Sequence, residues 1–228
     1  MSQNPLDGIR RRQPRPRRAF PDAQYAAVVL EPQAAWVAEK LGEHVRDIWI
    51  AHAVVLAEQR SIAVDVAASA LKQLVAADLA GVNELGSLRH ATAAFDHIVA
   101  TIEHGALRLG TAPDEISATA LRMFMRGRAL DLFDAVLDVR EALATVASGH
   151  LNTLLVLSSA GQSSQPSSLG HYLVAQIGPL LRTARRLREA WSRLNLSPVG
   201  AVSGVSTAVP LRRERAAELL GFDNPLEN

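Results

Sequence analysis

The sequence predicts an all-α protein, in which an N-terminal helical domain is followed by the long helices of an incomplete central helical bundle. Three observations lead to that fold class. Hydrophobic residues make up 48% of the 228 positions, enough for a sizeable core. Aromatic residues make up only 4%, while alanine and leucine, which favour helices, are abundant. Apolar residues also recur at three- and four-residue steps, the pattern of one helix face.

Residues 1–33 are predicted to form an extended arm rich in arginine and proline. Arg10, Arg11 and Arg12 precede an alternating run from Pro14 to Arg18. Proline blocks helix formation, so an extended, solvated segment is expected. The simplest interpretation is an unstructured terminus. The alternative is a phosphate-binding arm, because clustered guanidiniums neutralise phosphates; since no other segment favours nucleic acid, we do not expect it as a partner.

Residues 34–111 are predicted to form the N-terminal helical domain. A first helix is expected from Ala34 to about Gln59 and a second from Val64 to Leu79, since apolar residues mark one face of each. The short join between them predicts an antiparallel helical hairpin. A break over residues 81–87 and a helix from His90 to Glu103 complete this domain.

Residues 112–228 are predicted to form a partial central helical-bundle domain. One helix is expected from Asp114 to Ser148, on the order of 50 Å long at 1.5 Å per residue. The next runs from Leu169 to Leu194, where apolar residues alternate at coiled-coil steps and form a seam. Too little sequence follows for the chain to complete a bundle. We therefore expect helices of neighbouring chains to cover this seam, and we predict an oligomer.

Charge and composition exclude several functions. The formal net charge of +1 gives no global field that would attract nucleic acid or an acidic substrate. The absence of cysteine excludes disulfides, thiolate metal sites and thiol catalysis. No apolar run reaches the roughly 18 residues of a membrane span, and no signal peptide is evident, so we expect a soluble, cytoplasmic protein. Only Lys40 and Lys72 are lysines, and we interpret the excess of arginine as a coding bias.

The histidines favour neither a metal site nor a catalytic role. No pair of them has the spacing of a metal site with a third ligand, and neither a phosphate-binding glycine-rich loop nor a nucleophile elbow is present. His52 lies on the apolar face of the first predicted helix, so we expect a packed, hydrogen-bonded core residue. His171 is expected beside the seam of the last long helix. No metal, cofactor or catalytic residue is therefore predicted.

The most informative motifs lie between residue 162 and the end of the chain. They are Gln162-Ser163-Ser164-Gln165-Pro166, Leu169-Gly170-His171, Asn195-Leu196-Ser197-Pro198-Val199-Gly200, Leu220-Gly221-Phe222 and Glu227-Asn228. This order resembles argininosuccinate lyases of the fumarase/aspartase superfamily, in which Thr-His-Leu-Gln-x-Ala-Gln-Pro, a Leu-Gly-His helix start and Asn-x-Ser-Pro-Leu-Gly follow one another. Residues 47–59 are also similar to an early stretch of that family.

The resemblance implies a lyase of arginine biosynthesis that breaks a carbon–nitrogen bond by β-elimination and releases fumarate. Members of the family form tetramers around a shared helical bundle, and each active site takes residues from three subunits. The histidine of the family is replaced here by Ala160, whose methyl group cannot move a proton. The family's serine lid loop has no counterpart among these residues. The isolated chain is therefore expected to be inactive unless a partner chain supplies the lid.

Four residues are candidates for contacts with a dicarboxylate substrate: Gln162, Ser159, Gln165 and Asp114. The first three belong to a predicted polar loop rich in hydrogen-bond donors, although any turn and N-cap would use such residues. Asp114 falls within residues 112–115, which align with the Ser-Arg-Asn-Asp motif of the family. The alternative is a simple helix start, with proline in the first turn and acidic residues favoured by the helix dipole.

Three hypotheses follow. In the first, the chain belongs to an argininosuccinate lyase-like assembly, as a truncated or split lyase that needs partner residues for both proton transfers. In the second, it is a non-catalytic pseudoenzyme that serves as a scaffold or regulatory subunit of a lyase, which Ala160 and Pro113 favour. In the third, it is an unrelated helical binding module that uses its arginine-rich arm.

Overall fold

The described chain is predominantly helical, which confirms the all-α fold class. It is a computed structural model that describes residues 22–77, 99–100, 102–202, 204 and 207–227. The helices are α1 (Ala23–Tyr25), α2 (Glu31–Glu58), α3 (Val64–Ala76), α4 (Pro113–Gly149), α5 (Leu169–Leu194) and α6 (Arg213–Leu219). The strands are β1 (Leu154–Ser159), β2 (Gln162–Ser168), β3 (Leu196–Ser197) and β4 (Asn224–Pro225). The predicted break over 81–87 and most of the helix predicted after it lie outside the described residues.

The predicted extended arm is wrong for its last third, which is helical. The Asp22 carboxylate accepts a hydrogen bond from Gln24 N at 3.0 Å and so caps α1. A π-helical turn, Ala26–Leu30, then leads without a break into α2. Pro32 follows this turn, and its missing N–H leaves one carbonyl oxygen of the preceding turn without a helical hydrogen bond. The arginine-rich part of the arm, within residues 1–21, lies outside the described residues.

The predicted helical pair is present as α2 and α3, which pack against each other. Residues at helical spacing on α2 are buried, among them Val37, Leu41, Val45 and Ile48. Arg60 adopts a left-handed conformation with φ of 59° in the turn between the two helices. These helices form because one apolar face of each is removed from water, which is the main stabilising contribution in a core of this kind.

The hydrophobic core continues across residue 112, where the sequence predicts a domain boundary. Ile116 and Ala120 of α4, together with Phe222 near the C-terminal end of the described chain, belong to the same buried cluster as the apolar face of α2. The division into 34–111 and 112–228 stays a prediction. The start of α4 and the residues around α6 are in any case packed on the N-terminal helices.

The two longest helices, α4 and α5, are antiparallel and pack along one another. Where α4 ends and α5 begins, Gly170 N donates to His150 O at 3.0 Å. A Cβ atom on Gly170 would lie 2.8 Å from the Ala147 carbonyl oxygen, so the close approach requires glycine. At the opposite end, Arg122 Nη1 donates to Arg193 O at 2.7 Å. The two contacts fix α5 alongside α4 over its whole length.

The apolar seam of α5 lies along α4 of the same chain. Ala184 is buried, and Leu173, Leu187 and Trp191 are half-buried. Because most seam residues stay half-buried, the expectation that neighbouring chains cover the seam stays a prediction. On another face, α4 exposes an apolar stripe at seven-residue steps. The stripe residues and their exposed fractions are Met125 (45%), Leu132 (50%), Val139 (50%) and Val146 (48%).

Candidate functional site

The segment that carries the Gln-x-x-Gln-Pro motif forms a β-hairpin, so the prediction of a polar loop is wrong. β1 pairs antiparallel with β2, and Ala160 and Gly161 form the turn between them. Both residues have positive φ, 49° and 78°, as in the two-residue turns that match the twist of paired strands. Side chains along β2 from Gln162 to Gln165 are exposed. The hairpin therefore presents these polar side chains to solvent at the junction of α4 and α5.

Three of the predicted substrate residues share one face of this hairpin. Ser159 lies directly opposite Gln162 in the strand register, so their side chains lie on the same face. Gln165 is three residues further along, which in a regular strand would place it on the other face. A β-bulge lies between them, since β2 contains one more residue than β1 between successive pairs. The extra residue returns Gln165 to the face of Ser159 and Gln162.

The fourth candidate, Asp114, lies at the opposite end of the helix pair. It is exposed in the first turn of α4, whereas the hairpin follows the end of that helix. The 37 residues of α4 span about 55 Å at 1.5 Å per residue. Within one chain the structure therefore does not bring Asp114 together with Ser159, Gln162 and Gln165.

The first motif, residues 112–115, begins α4 and buries an acidic side chain. Pro113 lies in the first turn, and Glu115 is only 5% exposed. Glu115 Oε2 accepts a hydrogen bond from Val202 N at 2.7 Å. Burial raises the pKa of the Glu115 carboxyl, while backbone hydrogen bonds, led by that from Val202, and the charge of Arg213 lower it. Glu115 thus fastens the segment before α6 to the start of α4, a role that sequence reasoning missed.

The Asn-x-Ser-Pro-x-Gly motif forms a structural junction at the end of α5. β3 pairs in parallel with β4, and Leu226 N donates to Ser197 O at 2.8 Å. Gly200 has φ of 79°, and a Cβ atom there would lie 2.8 Å from Arg213 Cγ. This motif therefore needs glycine for both its backbone conformation and its packing. Its conformation holds the end of the chain against α6.

Phe222 of the Leu-Gly-Phe motif packs against an arginine side chain of α4. It is buried at 5% exposure, and the guanidinium carbon of Arg126 lies 4.6 Å from the centre of its ring. Arg126 Nη1 also donates to Leu220 O at 3.1 Å. Both motifs near the C-terminal end therefore serve to pack this segment onto the N-terminal helices.

His52 is a packed core residue, as predicted. It is 1% exposed, and its Nε2–H donates to the Leu109 carbonyl oxygen at 3.0 Å. Burial lowers the pKa of His52 to about 4, although backbone hydrogen bonds to Leu109 and Leu107 raise it in part. His171, which is expected beside the seam of α5, is exposed. Across the described ranges, no group of three or more histidine or acidic residues could hold a metal ion.

Comparisons with known proteins identify the relatives of the chain. No family model matches it. It is 38% identical over 124 residues to argininosuccinate lyase of Methanosarcina barkeri, covering 54% of this chain and 25% of that protein. It is 34% identical over 183 residues to the enzyme of Natronomonas pharaonis, covering 78% of this chain and 37% of that one. The chain is a homologue of argininosuccinate lyase. It spans between a quarter and about two-fifths of the length of these curated relatives.

Solved structures of the same superfamily share the fold. An EDDS lyase variant with bound fumarate matches with a TM-score of 0.76 and 32% identity, over 84% of this chain and 39% of that one. A fumarate lyase from Mesorhizobium matches in fold with a TM-score of 0.68 and 19% identity, over 93% of this chain and 51% of that one. The predicted resemblance is thereby confirmed, and the hypothesis of an unrelated helical module is wrong. None of the described helices has the length and apolarity to cross a membrane.

Proposed function

We propose that this argininosuccinate lyase homologue is part of an assembly that cleaves a carbon–nitrogen bond by β-elimination and releases fumarate. The observation that carries the proposal is the common face of Ser159, Gln162 and Gln165 on the exposed hairpin. Its support in sequence is the 34% identity over most of this chain to a curated argininosuccinate lyase. On the same grounds we propose a role in arginine biosynthesis, in the cytoplasm.

The hairpin face has the chemistry to hold a dicarboxylate. Two amide groups and one hydroxyl supply several N–H and O–H donors within a short stretch of strand. Such donors bind a carboxylate, and they stabilise the additional charge that forms on it when the adjacent carbon loses its proton. None of these groups exchanges protons near neutral pH. The groups that take and give protons must therefore come from elsewhere in the assembly.

The separation of the candidates supports a site shared between chains. Asp114 and the hairpin lie at opposite ends of α4, about 55 Å apart along the helix axis. An antiparallel neighbour would place its own Asp114 beside the hairpin of the first chain. The exposed apolar stripe of α4, from Met125 to Val146, provides a surface that such a neighbour would cover, because burial of such a stripe is favourable.

The second candidate function is a non-catalytic scaffold or regulatory subunit of a lyase. The observation that favours it is Ala160, which occupies the predicted histidine position within the tight hairpin turn. Neither Ala160 nor its turn partner Gly161 carries a functional group that could act on a substrate. In this case the hairpin would still bind a dicarboxylate and position a neighbouring chain.

The two candidate functions are separated by an activity assay and a binding assay on the same samples. The purified chain, alone and with any partner chain encoded beside it, is incubated with argininosuccinate while the ultraviolet absorbance of fumarate is followed. Fumarate formation supports the lyase function, and its absence in both samples contradicts that function and leaves the scaffold. Fumarate binding is measured in parallel by the shift in thermal midpoint.

Substitutions on the two faces of the hairpin test whether the face that carries Ser159, Gln162 and Gln165 binds fumarate. We expect Gln162→Leu to abolish the fumarate-induced shift, since it removes an amide donor from the proposed face. Ser163→Ala, one residue further along on the other face of β2, is the matched control and should preserve the shift. Equal shifts in both variants would contradict binding at this face.

A further inference from the structure

An open cleft of about 470 Å³ lies between the end of α2 and the segment that leads into α6. Its lining residues are Glu58, Gln59, Arg60, Pro210, Leu211 and Arg212. Leu211 lies against Gly110, three residues before α4 begins, so the cleft is at the opposite end of α4 from the hairpin. Neither Asp114 nor any hairpin residue lines it, and the function proposed above does not involve it.

The cleft carries two positive charges that its own acidic residue does not neutralise. Glu58 is paired with Arg215, whose Nε and Nη2 donate to Glu58 Oε2 and Oε1, each at 3.2 Å. Arg60 and Arg212 are exposed, and among the described residues neither of them forms a salt bridge. The local charge therefore favours an anion as the occupant of the cleft.

Arg60 occupies a backbone position that favours glycine. The carbonyl oxygens of Leu56 and Ala57 accept hydrogen bonds from Ser61 N and Arg60 N, each at 2.9 Å, the arrangement in which a helix ends on a left-handed residue. Arg60 has φ of 59°, where a Cβ atom is strained and glycine is the usual residue. A cation that only offset the helix dipole could lie unstrained in the last turn of α2, which has no basic residue. The strain therefore indicates that a guanidinium is needed at this point.

The lining of the cleft indicates an organic phosphate as the anion. A guanidinium binds phosphate oxygens with two parallel hydrogen bonds, and the charge of a phosphate monoester matches two guanidiniums. Pro210 and Leu211 add an apolar wall that inorganic phosphate would leave uncovered. The volume is in the range of small-molecule sites. Nucleic acid fits less well, because the exposed carboxylates of Glu214 and Glu218 follow along α6 and would repel a long polyanion.

We propose that this cleft binds a small phosphate monoester. Arg60 and Arg212 hold the phosphate group, and the organic part of the ligand covers Pro210 and Leu211. One ligand then contacts both the end of α2 and the start of α6, two elements that the ion pair between Glu58 and Arg215 already joins. Because the two arginines come together only in the folded chain, the ligand raises the thermal midpoint of unfolding.

The test is isothermal titration of the full chain with phenyl phosphate at fixed ionic strength. The wild type should show saturable binding, and inorganic phosphate, which has no apolar part, should bind more weakly. Arg60→Gly should weaken phenyl phosphate binding by about tenfold or more, since it removes a charged donor. The same substitution should raise the urea midpoint, because glycine is unstrained at φ of 59°. Loss of binding in this variant is then not a result of unfolding.

Two more variants complete the test. Arg212→Gln should weaken phenyl phosphate binding by a similar factor, since it removes the second guanidinium. Arg185→Gln, which removes an exposed arginine from α5, is the matched control and should bind as the wild type does. The proposal is overturned if the wild type shows no saturable binding, or if either cleft variant binds as the control does. It is also overturned if the cleft arginines affect only the binding of a single-stranded oligonucleotide.

The outcome is independent of the test of the proposed function. Gln162→Leu, which alters the hairpin, should keep its affinity for phenyl phosphate. Phenyl phosphate binding that depends on Arg60, without formation or binding of fumarate, would support this inference and contradict the lyase function. Fumarate formation by a chain that does not bind phenyl phosphate would do the reverse.

Discussion

Protonation of the buried His52 should destabilise the fold at mildly acidic pH. The imidazole is 1% exposed and donates one hydrogen bond to Leu109 O. A second proton would place a positive charge in this apolar environment, where desolvation is costly. Burial accordingly lowers the pKa of His52 from 6.5 to about 4. The unfolded chain, by contrast, takes up the proton at the ordinary pKa.

The size of the effect follows from that difference. A shift from 6.5 to about 4 corresponds to about 3.5 kcal/mol at about 1.4 kcal/mol per unit. Because the folded-state pKa is the lower one, the stability is fully present above the unfolded pKa and is lost as pH falls from about 6.5 to about 4. Between about pH 7 and about pH 5 the loss from His52 alone should be about 2 kcal/mol.

The assay is urea unfolding followed by circular dichroism at these two pH values. In His52→Gln the amide can still donate to Leu109 O, but the variant has no titrating group at this position. Its free energy of unfolding should therefore fall by about 2 kcal/mol less than that of the wild type over the same pH interval. His171→Gln, at an exposed position of α5, is the control and should follow the wild type. Parallel losses in wild type and His52→Gln would refute the argument.

Three further predictions concern backbone packing and a buried carboxylate. Gly170→Ala should lower the free energy of unfolding by about 1–3 kcal/mol, since its Cβ would meet a carbonyl oxygen of α4 at 2.8 Å. Gly127→Ala, at an exposed position of α4 with no atom within 4 Å of the added Cβ, should raise it by about 0.5–1 kcal/mol, and denaturant titration of both variants checks the contrast. Gly200→Ala should cost about 1–2 kcal/mol or more, because φ is 79° and Arg213 Cγ lies 2.8 Å away; an unchanged urea midpoint would contradict this. Burial raises the pKa of Glu115. The charged carboxylate therefore lowers the free energy of unfolding most at pH values well above that pKa. Glu115→Gln should unfold at higher urea than wild type at neutral pH, and the two should converge as the pH falls through that raised pKa.

Most helices could be predicted because each has a long apolar face at helical spacing. The predicted ends of the helices near Asp114 and Leu194 lie within one residue of those in the structure. The helical part of the arm is harder to predict, because the prolines and arginines nearer the N-terminus favour an extended segment. The capping Asp22 is only a weak local signal for a helix start.

The candidate site was harder to predict because its geometry depends on pairing between strands. The apolar run from Leu154 to Leu157 is short, and β2 consists of polar residues and Pro166, so periodicity gives no strand signal. The two-residue turn at Ala160 and Gly161 was the available clue. The burial of Glu115 depends on contact with Val202, 87 positions away, and a local pattern in sequence carries no information of that kind.

Three guanidinium groups fasten distant stretches of main chain, which bears on how this protein can be re-engineered. Arg122 reaches the end of α5, Arg126 reaches Leu220, and Arg213 reaches both Val199 and Leu226. A coding bias does not account for arginine at these three positions, since a forked, planar donor can serve several carbonyl oxygens at once and an ammonium group on a flexible stem cannot do so in the same geometry. Any wholesale replacement of arginine by lysine in this protein should therefore spare these three.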